Sequence, residues 1–276
     1  MHYRRPPEDP RSTAELVSLA LRGDEEDENA WEAIHALHWR GSREVLVAAE
    51  RLVHSPLASE RGRGADILGQ LGLPERTFPE ECFRLLVELL RRESEPAVLA
   101  STTTALGHLR DPRAVPELVK LKAHPSAEVR FGVVSGLTGQ EHPEAIAALI
   151  ELSGDPDEEV RNWATFELGD MVATDTPELR EALLRRLTDS NAEVRGEALL
   201  GLARRKDARV LEPLQEALSA PNVLVLVVEA AMELRDRRVH PFLIGLRDRP
   251  GEADDYFQGV LDKAIESYEA PHPGGE

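Results

Sequence analysis

VRFGVVSGL (Val129–Leu137), VRNWATFEL (Val160–Leu168) and VRGEALLGL (Val194–Leu202) are three spellings of one helical phrase. The leucine that closes it recurs at Leu37, Leu71, Leu106, Leu137, Leu168, Leu202 and Leu234, at spacings of 34, 35, 31, 31, 34 and 32 residues. Eight residues earlier stand the anchors Asn29, Arg63, Val98, Val129, Val160, Val194 and Leu226. Four residues after each anchor stand Ala33, Ile67, Thr102, Val133, Ala164, Ala198 and Ala230. Offsets of zero, four and eight share one stripe of an α-helix. All the middle residues except Thr102 are Ala, Val or Ile, as close helix packing requires. Such a period accommodates one helical hairpin per repeat, and repeats of this kind stack on their neighbours.

Between these phrases lie partner helices with apolar residues three and four apart: AVPELVKLK (Ala114–Lys122), EAIAALIEL (Glu144–Leu152), ELREALLRRL (Glu178–Leu187) and RVLEPLQEAL (Arg209–Leu218). Asp111-Pro112, Gly154-Asp155-Pro156, Asp175-Thr176-Pro177 and Ala220-Pro221-Asn222 mark the turns. The extra residues between Val160 and Val194 are read as a loop insertion over Asp170–Thr176. The expected fold is all-α: a right-handed α-solenoid, or superhelix, of about seven hairpins. Thr13–Leu21 and Asp255–Tyr268 are expected to be terminal capping helices. One solenoid domain is expected over residues 12–269, between disordered tails at 1–11 and 270–276 that are rich in Pro and Gly.

Hydrophobic residues make up 41% of the chain and aromatics only 4%, which suits a continuous core of small aliphatic side chains. Against 33 basic residues stand 51 acidic ones, a net charge of −18. That field disfavours nucleic acid and anionic membranes and favours basic partners. The lone Cys82 cannot form an internal disulfide. No signal core or membrane-length apolar run is present, so a cytoplasmic monomer is expected.

The Val-Arg pairs at 129–130, 160–161 and 194–195 are accompanied by Asp155 and Asp189, five residues before their valines. Together with DPRAVPEL (Asp111–Leu118) they resemble HEAT repeats, and specifically the short bacterial subclass labelled phycobilisome-lyase-like. The resemblance implies an inter-repeat ladder built from Asp155, Asp189, Arg130, Arg161 and Arg195. It also implies that the Val-Arg helices line a concave surface. Ala30, Gly64 and Val227 replace the arginine in the first two units and the last, so no ladder is expected there. The subclass label further implies a bilin lyase or chaperone as an alternative activity, although no residue pattern here shows tetrapyrrole chemistry.

Offsets two, six and ten point away from the core stripe. They place Trp31, His35, Trp39, Phe131, Asn162, Phe166, Leu200 and Met232 on the concave face, with only Arg204 basic among twenty-one positions. Three residues after the anchors, Glu32, Asp66, Glu197 and Glu229 form an acidic flank. An apolar groove with acidic edges suits a basic amphipathic helix or extended peptide; tight packing between repeats would instead bury some of these positions. The Glu32, His35 and His38 spacing sweeps around the helix and does not make a metal site. Arg204, Arg205, Lys206, Arg209, Arg235, Arg237 and Arg238 fall at turns and are expected to pair with nearby acids as a solvated rim. The sequence has no glycine-rich phosphate loop, CxxC pair, G-x-S-x-G elbow or His-Glu dipeptide. The expected function is therefore a noncatalytic interaction scaffold without a cofactor, binding a basic protein or peptide segment.

Overall fold

The computed structural model describes residues 9–23, 27–249 and 255–269. Among these residues there are sixteen α-helices and no strand. The chain divides into two compact units, Met1–Ala145 and Ile146–Glu276. The first holds α1 (Thr13–Ala20), α2 (Glu28–Arg40), α3 (Arg43–Val53), α4 (Ala58–Gly69), α5 (Pro79–Arg92), α6 (Pro96–Leu109), the short α7 (Val115–Leu118) and α8 (Ala127–Gly136). Helix α9 (Pro143–Leu152) contains the division. The second unit continues with α10 (Glu158–Phe166), α11 (Pro177–Arg186), α12 (Ala192–Arg204), α13 (Leu211–Ser219), α14 (Val225–Leu234), α15 (His240–Arg247) and α16 (Asp255–Glu269).

In the first unit α1 packs on α2, α3 on α4, α5 on α6 and α7 on α8, and the second helices of these hairpins pack side by side. In the second unit α11 pairs with α12, α13 with α14 and α15 with α16, and α10, α12, α14 and α16 lie successively against one another. Helix α15 was not anticipated, so the stretch read as a lone C-terminal cap is the second helix of a full hairpin. The tails at 1–8 and 270–276 lie outside the described residues. Asp9 and Arg11, assigned to the tail from sequence, are held in place: Arg40 donates to the Asp9 carbonyl at 2.9 Å and to the Arg11 carbonyl at 2.5 Å.

The phrase that defines the repeat is also its core. Val129, Val133 and Leu137, Val160, Ala164 and Leu168, and Val194, Ala198 and Leu202 are all 0% exposed. Burying each leucine contributes roughly 2 kcal/mol. The helix starts are encoded just upstream. The Asp157 carboxylate accepts from the Glu159 and Val160 amides, and the Asn191 side chain accepts from those of Glu193 and Val194. Each such cap stabilises its helix by about 1 kcal/mol. Thr102, the polar exception in the stripe, is fully buried and donates its hydroxyl to the Val98 carbonyl at 2.6 Å. Its polarity is thereby satisfied within its own helix.

Second helices approach so closely that side chains must vanish between them. A Cβ on Gly107 of α6 would lie 2.5 Å from the Ser135 carbonyl oxygen and 2.7 Å from Gly136 Cα of α8. A Cβ on Gly201 of α12 would lie 2.6 Å from Gly169 Cα. This close packing takes up several positions assigned to the open face from sequence.

The arginine ladder reaches one hairpin further toward the N-terminus than inferred, in a shifted register there. Arg161 donates to the Asp155 carbonyl at 2.8 Å, and Arg195 to the Asp189 carbonyl at 2.7 Å. Arg130 does the same to His124 at 2.9 Å. Arg61 makes the equivalent bond to Ser55 at 3.2 Å. The second hairpin therefore does carry the arginine, three residues before Gly64. A shift of three residues keeps a side chain on nearly the same helical face, so leucine spacing alone does not reveal it. Arg61 then reaches Glu93 at 2.6 Å, and Arg161 reaches Asp189 at 2.8 Å. Both acids stand three residues before the next second helix, where Asp155 also stands, buried and accepting from the Asp157 amide at 2.8 Å. Asn222 occupies the corresponding position after Arg195.

The insertion after α10 is partly helical: Glu167–Met171 form a π-turn. Its carbonyls explain Arg205, which departs from the solvated rim. Arg205 is buried to 7% side-chain exposure and donates to the carbonyls of Leu168, Gly169, Val172, Thr174 and Gly201. The rim reading suits other members. Arg209 pairs with Asp207 at 2.7 Å and Glu181 at 2.5 Å, Arg238 pairs with Asp236 at 2.6 Å, and Arg204 pairs with Asp170.

Candidate functional site

In the first unit, α2 carries Trp31, Glu32, His35, His38 and Trp39. His38 belongs to the core at 1% exposure, and its Nε2 lies 2.9 Å from the Asp66 carbonyl oxygen of α4. Desolvation, followed by the influence of His35, Arg76 and His108, lowers its pKa to about 4 against the opposing hydrogen bond. It is neutral at physiological pH. Trp31 is half-buried, with the buried Arg63 guanidinium 5.3 Å from its ring centroid. Arg63 also lies 3.5 Å from the Asp66 carboxylate, so this part of the acidic flank is compensated within the protein. Glu32 and His35 are exposed, whereas Trp39 and, on α8, Phe131 are half-buried. No group of three or more His, Cys, Asp or Glu side chains among the described residues is placed to hold a metal ion.

The second unit presents a different balance of charge. Asn162 of α10 donates to Glu193 of α12 at 3.4 Å, which sets the two helices side by side. One turn further along these helices stand Phe166 and Glu197. Phe166 meets Trp163 edge-on at 5.6 Å, and Trp163 is 44% exposed. Glu197 is half-buried. Desolvation first, and then the charges of Glu229 on α14 and of Glu193, raise its pKa to about 7. Neither Glu197 nor Glu229 has an ion-pair partner among the described residues. Met232, one turn beyond Val228 on α14, is half-buried. Leu200 is 5% exposed and packs into the helix layer, so its assignment to an open groove is corrected. Val228 and Gly196 are buried for the same reason. A Cβ on Gly196 would lie 3.0 Å from Leu226.

The structure thus brings Asn162, Phe166, Glu197, Glu229 and Met232 onto adjoining second helices. Sequence reasoning missed Trp163, which stands three residues after Val160 in the row read only for its acids, and Glu193, which falls outside the offset rows. Stacked helices are rotated relative to one another, so a uniform offset cannot describe every exposed residue.

These hairpins, their inter-repeat arginine–acid pairs and their buried leucine stripe define an α-solenoid of helical repeats. HEAT repeats match residues 83–169, 147–235 and 176–254, and the chain belongs to the HEAT-repeat family. Protein YibA of Escherichia coli K12 is 30% identical over 213 residues, spanning 75% of each chain. The X-ray structure of E. coli YibA matches with a TM-score of 0.74 at 25% identity, covering 95% of this chain and 93% of that one. An engineered protein shares the fold at a TM-score of 0.52 and 22% identity, over 93% of this chain and 78% of its own. No described helix is long and apolar enough to cross a membrane.

Proposed function

We propose that this HEAT-repeat protein is a noncatalytic binding scaffold, and that the second-helix face of Ile146–Glu276 receives a basic amphipathic protein segment. The observation that carries the reading is the half-buried Glu197 carboxyl, held beside Glu193 and Glu229 without an internal cation. An ammonium about 4 Å from such a carboxylate gains roughly 4 kcal/mol of Coulomb energy near a protein surface, before desolvation is counted. Phe166, Trp163 and Met232 supply apolar and aromatic surface for the stem of a lysine or arginine and for neighbouring apolar residues. Acid and aromatic groups on adjacent helices match the charge and face of a basic amphipathic helix.

The test uses a lysine/leucine amphipathic peptide and its glutamate/leucine counterpart, titrated into the wild type and a Glu197→Lys/Glu229→Lys double variant. The basic peptide should bind the wild type and lose at least about tenfold in affinity for the double variant, corresponding to about 1.4 kcal/mol. Equal affinity for both proteins, or preference for the acidic peptide, would refute the cation-accepting face.

A further inference from the structure

The first unit contains a cleft of opposite character. It occupies about 820 Å³ among the ends of second helices and the turns that follow them. Twelve residues line it, and none is Asp or Glu, although acids outnumber bases 51 to 33 in the chain. Its charged or titratable groups are Arg76, His108 and Arg110, while Trp39, Thr104 and Ser135 contribute an aromatic wall and hydroxyls.

Arg76 Nη2 donates to the His108 carbonyl at 3.0 Å, but Nη1 is shielded from solvent and has no hydrogen-bond partner among the described residues. The Arg76 guanidinium lines the cleft without a paired carboxylate among the described residues, so an anion there would supply its counter-charge. Arg110 is exposed and makes no ion pair with any described acid. The His108 imidazole is displaced below its usual pKa by desolvation and then by Arg76 and Arg110, consistent with concentrated positive charge. In an acidic protein, such a concentration does not arise from average composition. Bulk electrostatics works against it, since a net charge of −18 repels anions at long range. Selectivity must therefore come from direct, charge-assisted contacts inside the cleft.

We propose that this cleft binds a small organic anion, whose phosphate or carboxylate is taken by Arg76 and Arg110 and whose body rests against Trp39. The volume favours a small molecule over a bare inorganic ion, since ligand pockets of roughly 300–1,000 Å³ enclose molecules of that size. Thr104 and Ser135 complete the site with neutral donors and acceptors that tolerate an anion.

Isothermal titration of the full chain with AMP, citrate and inorganic phosphate tests the assignment and separates phosphate from carboxylate chemistry. AMP or citrate should saturate the wild type, bind at least about tenfold tighter than inorganic phosphate, and lose at least about tenfold in Arg110→Gln. Thr104→Glu, which puts a carboxylate into the cleft, should lose binding to the same or greater extent. Circular dichroism and thermal melts establish that both variants remain folded. Failure of AMP and citrate to saturate by about 10 mM would overturn the proposal, as would unchanged affinity in both folded variants. Binding of a poly-glutamate peptide without affinity for either organic anion would overturn it in favour of a protein ligand.

Discussion

Replacing Glu197 with Gln should stabilise the protein at alkaline pH and leave acidic stability nearly unchanged. The folded carboxyl has its pKa raised from 4.5 to about 7 by desolvation and the neighbouring Glu229 and Glu193 charges. The folded state therefore holds this proton more tightly than the unfolded chain. Below about pH 4.5 both states are protonated and the site costs nothing. Between about 4.5 and 7 the stability contributed by this group falls as pH rises, and above 7 the loss is constant. The full displacement corresponds to about 3 kcal/mol. Partial contact of the carboxyl with water screens it, leaving an expected difference of about 1–2 kcal/mol. Urea unfolding of wild type and Glu197→Gln at pH 4 and pH 8 measures it, because other titrating groups are common to both proteins. A gain of that size at pH 8 and near equality at pH 4 is expected. Equal stability at pH 8, or a variant less stable there, would refute the desolvated acidic site.

The ladder predicts that Asp189→Ala destabilises by about 2–4 kcal/mol in denaturant melts, because Arg161 loses a buried carboxylate at 2.8 Å. Glu93 has the opposite pH signature from Glu197. Burial opposes its ionisation, but bonds from Arg61 and from the Glu95 and Ser94 amides hold its pKa at about 2. The stability from this group is present above about pH 4.5 and is lost as pH falls toward 2, a slope that Glu93→Gln should flatten in acid-unfolding curves. Gly107→Ala should cost about 1–3 kcal/mol, because its Cβ meets backbone rather than a movable side-chain tip. Gly245→Ala in α15, where nothing lies within 4 Å of the new Cβ, should instead stabilise by about 0.5–1 kcal/mol; thermal melts of the two glycine variants measure both effects.

The repeat was legible because Val160, Ala164 and Leu168 recur in helical register, and they and their equivalents in the phrases at Val129–Leu137 and Val194–Leu202 are all buried. The sequence also named Arg161 and Asp189 as members of a ladder through the resemblance of their phrases to known repeats, without saying which acid meets which arginine. The register of the second hairpin was not legible from its leucine. Arg61 announces itself only through the carbonyls it binds, and a shift of three residues preserves the apolar stripe. Leu200 shows the corresponding limit for surfaces: pointing away from the hairpin core still allows burial against the next hairpin. Trp163 was passed over because its row was read for charge alone, and Glu193 because it precedes its anchor. Arg76 and Arg110 lie in turns beyond the helical rows, so their convergence depends on how hairpin ends meet in space. The pair Glu197 and Glu229 was visible as two acids at one repeat position, but the absence of a compensating described cation required coordinates.

Photocrosslinking tests the cation-accepting face most directly. A lysine/leucine amphipathic peptide carrying a benzophenone would be irradiated with the full chain and the adducts mapped by mass spectrometry. The account predicts adducts concentrated on α10, α12 and α14, at or beside Trp163, Phe166 and Met232, and their loss when Glu197 and Glu229 are both changed to Lys. Adducts confined to the first helices of the hairpins, or undiminished in that variant, would contradict it.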